Sequence, residues 1–406
     1  MKYSILALLL LTSSSSVDAF TASPLFGKTT SSSPFALQAN KKIFIDGEAG
    51  TTGLQVRQRL ELRQDLEIIS PPAEKRKDAE TRKAYINEAD AVILCLPDAA
   101  SIEAASFVSP DNDRTVLIDA STAFRTDDNW TYGFPGKIGL FVDMLADHIV
   151  LCRIMQASYY FSTITYPSTF FFFSFSVTEM SPEQRKAIAN SKRISNPGCY
   201  PTGFIGLTRP LVSAGIIPVG TPLTVNAISG YSGGGKGLIE IFESGTSEAW
   251  SGYGYTLMHK HVPEMAKHSG IGRNPIFQPQ IANFAQGMVV SVPLHYDWLK
   301  PGTTGQQVHD ALVKHYEGCN FVKVMPRGEA AVKQANLFER GAFLRPDTLA
   351  NTNKLELFVF DNDDAGMMLL CARLDNLGKG ASGAAVQNMN IALGIDETVG
   401  LTEAFK

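Results

Sequence analysis

The chain is short of charge and has no metal-binding spacing. Asp, Glu, Lys and Arg make up 19% of its 406 residues, below the usual quarter. The shortfall is concentrated at the N-terminus and around residues 149–178, so it marks unusual segments and leaves an ordinary core. A basic excess is also missing. The formal net charge is −4 and the pI about 6.0, which excludes a basic face large enough for nucleic acid. The five cysteines, Cys95, Cys152, Cys199, Cys319 and Cys371, contain no CxxC pair. An odd, irregularly spaced set argues against a disulfide framework and against zinc. The seven histidines show no HExxH, and no metal is expected. The apolar run at residues 5–11 is too short to span a bilayer.

What is present begins with an address. Met1-Lys2-Tyr3-Ser4, the apolar run and the small residues up to Ala19-Phe20 have the layout of a signal peptide. Residues 21–40 are rich in Ser and Thr and contain no acid, so they bury too little apolar surface to fold. The pair resembles the bipartite presequences of algae with complex plastids. Residues 1–40 are therefore set aside as presequence, with the plastid stroma as the expected destination and plain secretion as the alternative.

Lys42-Ile43-Phe44-Ile45-Asp46 reads as a buried strand, Gly47-Glu48-Ala49-Gly50-Thr51-Thr52-Gly53 as a glycine turn, and residues 54–60 as a helix. Strand, glycine turn and helix in that order bring backbone N–H groups to a dinucleotide phosphate. Gly47, Gly50, Thr51, Thr52 and Gly53 are thus candidate cofactor contacts. The next strand, residues 66–69, ends at Ser70-Pro71-Pro72 with no acid for a ribose hydroxyl, and Lys75-Arg76-Lys77 follows. Ser70 and Arg76 then favour a 2′-phosphate, hence NADP(H) over NAD. Further strands at residues 91–96 and 115–119 complete a parallel, doubly wound α/β pattern whose ligands lie at the strand C-termini. Ser121 and Arg125 follow the fourth strand and are candidate substrate contacts. Arg125 suits a phosphate or carboxylate, with a surface ion pair as the alternative.

Residues 136–178 interrupt this half. They include Tyr159-Tyr160-Phe161 and Phe170-Phe171-Phe172-Phe173 and have no amphipathic period. Pro167, the Ser and Thr residues and the tyrosines argue against a membrane helix. The preferred reading is a retained intron. Gly136-Lys137 can be encoded by GGTAAG, which holds a donor splice signal. The phenylalanine run is what an in-frame polypyrimidine tract encodes, and Thr178-Glu179 can be encoded by ACAGAG, which holds an acceptor. A normal helix start resumes at Ser181-Pro182-Glu183-Gln184, a capping box with proline at the first position.

Asn196-Pro197-Gly198-Cys199-Tyr200-Pro201-Thr202 places Cys199 between a Pro-Gly turn and an apolar helix. Such a helix start lowers a thiol pKa, and its N–H groups can hold an oxyanion. A strand at residues 221–228 leads to the glycine-rich loop 229–237, which is either a phosphate cradle or a flexible substrate loop. Met258-His259-Lys260-His261-Val262-Pro263-Glu264 offers two histidines and an acid near a candidate nucleophile. His259 or His261 can serve as acid/base partner to Cys199. Glu264 is a further substrate candidate. Residues 287–294, 354–360 and 367–374 read as antiparallel strands. The tail from Asp375 is rich in small residues, which permit close approach to a cofactor, and then becomes helical.

Together these motifs resemble N-acetyl-γ-glutamyl-phosphate reductases of the shorter type, relatives of aspartate-semialdehyde and glyceraldehyde-3-phosphate dehydrogenases. The resemblance covers residues 42–135 and 179–406. It rests on the turn at 47–53, the Asn196–Thr202 motif, the His259–Glu264 motif and Asn376-Leu377-Gly378-Lys379-Gly380. It implies an NADP-binding Rossmann domain over 41–198, an α+β glyceraldehyde-3-phosphate dehydrogenase-like catalytic and dimerisation domain with a mixed or antiparallel sheet over 199–375, and a C-terminal helix, 376–406, returning to the nucleotide domain. Asn376 and Asn388 are implied cofactor contacts, with Asn388 near the nicotinamide. The implied reaction is the NADPH-dependent reduction of N-acetyl-glutamyl 5-phosphate through a Cys199 thioester, a step of arginine biosynthesis, by a dimer or tetramer. An aspartate-semialdehyde dehydrogenase and a nucleotide-binding product inactivated by the insertion are the alternatives. Sequencing transcripts across this region should reveal a shorter mRNA that joins Pro135 to Glu179. Finding only the long form in every condition would dismiss the intron.

Overall fold

The computed structural model describes residues 40–134, 182–401 and 404–405. The presequence up to residue 39, the aromatic segment 136–178 and the expected cap at Ser181 lie outside the described residues.

β1 (Lys41–Asp46) ends in four buried residues and runs between β2 (Leu66–Ile69) and β3 (Ala91–Leu94). β4 (Val116–Asp119), β6 (Arg193–Ser195) and β5 (Thr131–Tyr132) extend the sheet in the order β2-β1-β3-β4-β6-β5, with every pair parallel. Helices cover both faces, and this is why β3 and β4 are buried throughout and show no alternation. α1 (Thr51–Leu60) begins three residues before its apolar period at Leu54, so Thr51 and Thr52 belong to its first turn. The strand order reverses at β1, which opens a crevice at the C-terminal ends of β1 and β3.

The chain leaves this sheet at Phe134, which is 2% exposed, and re-enters as α4 (Pro182–Asn190). The Gln184 side chain donates to the Tyr132 carbonyl, so the two ends of the intervening segment meet.

After β6 the chain passes through Asn196-Pro197-Gly198 into α5 (Cys199–Ser213). This helix lies on a second sheet, where Phe204, Ile205, Leu207 and Leu211 share one buried cluster with Val290, Val292, Leu357 and Ala372. Each such side chain contributes about 1.5–3 kcal/mol of burial. The sheet comprises β7 (Thr224–Gly230), β8 (Trp250–Gly252), β9 (Ile276–Ala282), β10 (Met288–His295), β11 (Val322–Val324), β12 (Leu355–Asn362) and β13 (Met367–Leu374). Its order is β11-β12-β13-β10-β7-β9-β8. The three strands read as antiparallel form its centre, while β7 with β9 and β11 with β12 pair in parallel, so the sheet is mixed.

β9 escapes a sequence reading because Pro279 sits inside it. Proline is tolerated there because β8 pairs only with residues 280–282, and the Pro279 carbonyl accepts instead from Tyr253 N at 3.1 Å. The tail forms a tight turn, Gly378–Ser382, and a last helix, α10 (Gly383–Ala392). Ala385, Val386, Met389 and Ile391 of α10 are buried with Ile43, Val56, Ile118 and Ile194 of the first sheet and α1.

α5 also contains Pro210, which has no N–H for the Gly206 carbonyl four residues earlier. Tyr316, on α8 (Gly305–Tyr316), donates its hydroxyl to that carbonyl at 2.7 Å. Tyr316→Phe should therefore destabilise the protein by about 1–2 kcal/mol in urea unfolding, the penalty of a buried unpaired acceptor. The loss should shrink in a Pro210→Ala background, where the helix supplies its own donor. Equal losses in both backgrounds would contradict this pairing.

Candidate active site

Cys199 is the first residue of α5, and Gly198 is its N-cap. The approach to Cys199 is fixed by one buried carboxylate. Glu264, 1% exposed, accepts the Gly198 backbone N–H at 2.8 Å, the Tyr132 hydroxyl at 2.6 Å and Arg125 Nη1 at 3.3 Å. Arg125 is buried too. Its Nε donates to the Asn196 carbonyl and its Nη2 to the Ala120 carbonyl, both at 2.9 Å. It is thus an internal strut between β4 and the Cys199 turn, and not a surface ion pair. A Cβ at Gly198 would lie 2.6 Å from Arg125 Nη1 and 2.8 Å from His261 Nε2, so any larger residue there would displace these two side chains.

Glu264 belongs to α7 (Val262–Ser269), whose N-cap is His261. Helical spacing puts His261, Glu264 and His268 on one face. His268 stacks on Tyr132 at 3.6 Å between ring centroids, and its Nε2 lies 2.6 Å from the Arg125 carbonyl. The sequence reading missed Tyr132 and His268. The seven-residue step from His261 to His268 was an available signal, whereas Tyr132 stands in a two-residue strand with no pattern.

Cys199, Tyr200, Ser229, Gly233, His259 and His261 line a cavity of about 360 Å³. The His259 and His261 rings are 4.8 Å apart, and His259 Nδ1 accepts from the His261 backbone N–H at 3.2 Å. Burial and nearby cations hold both imidazoles neutral, His259 down at about 4 and His261 well below the usual value. Tyr253 donates to the Tyr200 hydroxyl at 3.3 Å, and Tyr200 donates to the Gln280 carbonyl at 3.0 Å. These aromatic walls were also missed. Cys199 opens partly to the cavity, yet removal of water pushes its thiol up to about 11, against the pull of Arg125 and the Tyr200 N–H. The expectation of a depressed thiol pKa does not hold for the free protein, because desolvation outweighs the helix start.

The second cluster lies at the β1–β3 crevice. Gly47 has φ +90, and a Cβ on Gly53 would lie 2.3 Å from the Gly47 carbonyl, so the turn is packed tightly against the first turn of α1. Gly47, Glu48, Ala49, Pro71, Arg76 and Leu96 border a cavity of about 500 Å³. Gly50 is the N-cap of α1 without a side-chain cap, which leaves the N–H groups at Thr51, Thr52 and Gly53 for a ligand. Ser70 Oγ and Arg76 both reach Glu48, at 3.0 and 2.8 Å.

The remaining candidates tie the two clusters together. Asn376 Oδ1 accepts from Gly287 N at 2.8 Å and its Nδ2 donates to Ser232 Oγ at 3.1 Å, so it clamps the glycine-rich loop. Asn388 Nδ2 donates to the Gly133 carbonyl and Asn196 Oδ1, while its buried Oδ1 has no partner among the described residues. Ser121 donates to Asp119 Oδ2 at 2.7 Å and stays within β4's own turn. A Cβ on Gly380 would lie 2.7 Å from the Cys199 Cβ, which brings the tail turn against Cys199. Among the described residues no group of three or more His, Cys, Asp or Glu side chains could hold a metal ion, and no helix is long and apolar enough to cross a membrane.

Residues 199–376 match the family profile described as semialdehyde dehydrogenase, dimerisation domain. Aspartate semialdehyde dehydrogenase II from Vibrio cholerae, solved with ASA, shares the fold with a TM-score of 0.56 at 14% identity, over 88% of this chain and 99% of its own. The Candida albicans enzyme solved with NADP gives 0.50 at 12% identity, over 87% and 99%. Profile and fold thus place the chain in the structural class of the semialdehyde dehydrogenases. N-acetyl-γ-glutamyl-phosphate reductase 2 of Nostoc sp. is 44% identical over 368 residues, covering 89% of this chain and 99% of the relative. The reductase of Chelativorans sp. is 44% identical over 354 residues, covering 87% and 98%. The chain belongs to the N-acetyl-γ-glutamyl-phosphate reductase family.

With the thiol at about 11, alkylation of Cys199 by iodoacetamide in the free protein should climb about tenfold per pH unit through pH 9 and beyond. Mass spectrometry of the Cys199 peptide reads this. A plateau below pH 9 would show a thiolate that the surroundings stabilise.

Proposed function

We propose that this chain reduces N-acetyl-glutamyl 5-phosphate to N-acetyl-glutamate 5-semialdehyde with NADPH, through a thioester on Cys199. The observation that carries the reading is Cys199 at the start of α5, in a cavity shared with two neutral histidines.

The crevice suits a dinucleotide. The tight Gly47–Gly53 turn and the N–H groups at the start of α1 would hold its pyrophosphate, and Ser70 and Arg76 a 2′-phosphate. The unpartnered Asn388 Oδ1 is an acceptor suited to a carboxamide. NADPH, when bound, supplies the hydride that reduces the thioester carbonyl.

The protein's own groups do the rest. A neutral His259 or His261 takes the Cys199 proton as the sulfur approaches the acyl carbon. The carbon–sulfur bond forms, the bond from carbon to the phosphate oxygen breaks, and phosphate leaves with its electron pair. The N–H groups at the start of α5 stabilise the oxyanion on the substrate carbonyl. After reduction the carbon–sulfur bond breaks, the sulfur leaves as thiolate, and the imidazolium returns a proton to it. Burial resists the charge on both Cys199 and histidine, so the pair forms charge only as the reaction needs it.

NADPH oxidation should be faster by at least about tenfold with N-acetyl-glutamyl phosphate than with aspartyl phosphate, in the protein lacking 1–40 and with or without 136–178. The reverse preference would favour an aspartate-semialdehyde dehydrogenase. No turnover with the segment present, but turnover without it, would mark the long chain as inactive. Cys199→Ser should abolish turnover and leave NADPH binding, measured by fluorescence, unchanged. Retained turnover would remove Cys199 from the reaction.

A further inference from the structure

Glu48 stands in the turn of the crevice, where a carboxylate is least expected beside the phosphates of a dinucleotide. It is 8% exposed, and its contacts converge from three separate elements. Oε2 accepts from Arg57 Nη1 at 2.8 Å and from Ser70 Oγ at 3.0 Å, and Oε1 lies 2.8 Å from Arg76 Nη2. Arg57 comes from α1, Ser70 from the end of β2, and Arg76 from the turn that follows. Arg57 also donates to Ser70 Oγ at 3.1 Å, so the donors form one connected cluster. A hydroxyl and two guanidinium groups at the C-terminal end of the second strand are the donor set that a phosphate monoester takes.

We infer that Glu48 is an internal ligand of the 2′-phosphate subsite. Its carboxylate hydrogen-bonds Ser70 and Arg57 and pairs ionically with Arg76, and a 2′-phosphorylated dinucleotide competes with it for these groups. The inference rests on the proposed NADPH reading and adds to it a residue that sets cofactor preference. The physical reason is competition. The carboxylate and the phosphate are both anions, they use the same donors, and they repel each other if both stay. Displacement lowers apparent affinity by the fraction of molecules in which the donors are vacant. A dinucleotide without the 2′-phosphate has nothing to displace Glu48 with, and its ribose hydroxyl can donate to the carboxylate. Glu48 therefore narrows the preference that Ser70 and the two arginines create. It also keeps two solvent-facing guanidinium groups paired before the ligand arrives.

Glu48→Gln keeps the size of the side chain and an acceptor oxygen, but gives up the charge that makes these hydrogen bonds strong. The test is isothermal titration of the whole chain with adenosine 2′,5′-bisphosphate and with adenosine 5′-monophosphate, which needs no turnover. In Glu48→Gln the bisphosphate should bind about tenfold tighter, and the monophosphate should change by less than about twofold. Ser70→Ala, which removes a donor, should weaken the bisphosphate alone. Unchanged or weaker bisphosphate binding in Glu48→Gln overturns the inference, because Glu48 would then be orienting the donors instead of competing for them. An equal gain for both probes overturns it too, since the effect would be general repulsion of phosphate. A wild-type chain that binds neither the bisphosphate nor NADPH would dismiss the cofactor reading itself, and the inference with it. That outcome is distinct from a wild type that binds while the variant shows no gain.

Discussion

Glu264 is the group on which the rest of the site depends. One buried carboxylate receives the N–H that precedes Cys199, a hydroxyl from the edge strand β5 of the first sheet, and a guanidinium that also holds two backbone carbonyls. Such a charge is tolerable inside a protein only when fully partnered. The partners come from β5, from the turn after β4 and from the Cys199 turn, while Glu264 itself stands on α7. The two sheets are therefore registered to each other at the point where the reacting sulfur sits. Moving any one partner leaves a buried charge short of donors, and that makes the arrangement stiff.

The chemistry follows from how dry this junction is. Desolvation raises the thiol and lowers both imidazoles, so the free enzyme holds Cys199, His259 and His261 uncharged together. A neutral thiol beside a neutral base is protected from adventitious oxidation and alkylation, since thiolate is the reactive form. In the proposed reaction, charge develops on the pair only when an acyl phosphate brings its own dipoles and anion into the cavity.

Much of this was legible in the sequence because local patterns carry it. Strand, glycine turn and helix at residues 42–60 are contiguous, as are the Pro-Gly turn and helix around Cys199. What escaped was set by distant pairing. β5 has two residues and β6 three, too short for any period. Arg125 looked like a surface or ligand group because nothing near it in sequence announces Glu264, 139 positions away. The thiol's direction of shift was misread because a helix start is visible in sequence while desolvation is a property of the assembled cavity. Glu48 was quoted within the turn but given no role, since its three partners lie 9 to 28 positions further along the chain.

The meeting of Tyr132 with Gln184 has a consequence for what the fold can accommodate. Whatever lies between Phe134 and Pro182 begins and ends at anchors that are already fastened to each other through β5, β6 and α4. The cost of closing a loop between fixed ends grows only logarithmically with its length, at roughly 0.6 kcal/mol for each doubling. The scaffold is accordingly almost blind to how many residues are threaded through that doorway. A short and a long version of the chain would therefore be held at the same two anchors, Tyr132 and Gln184.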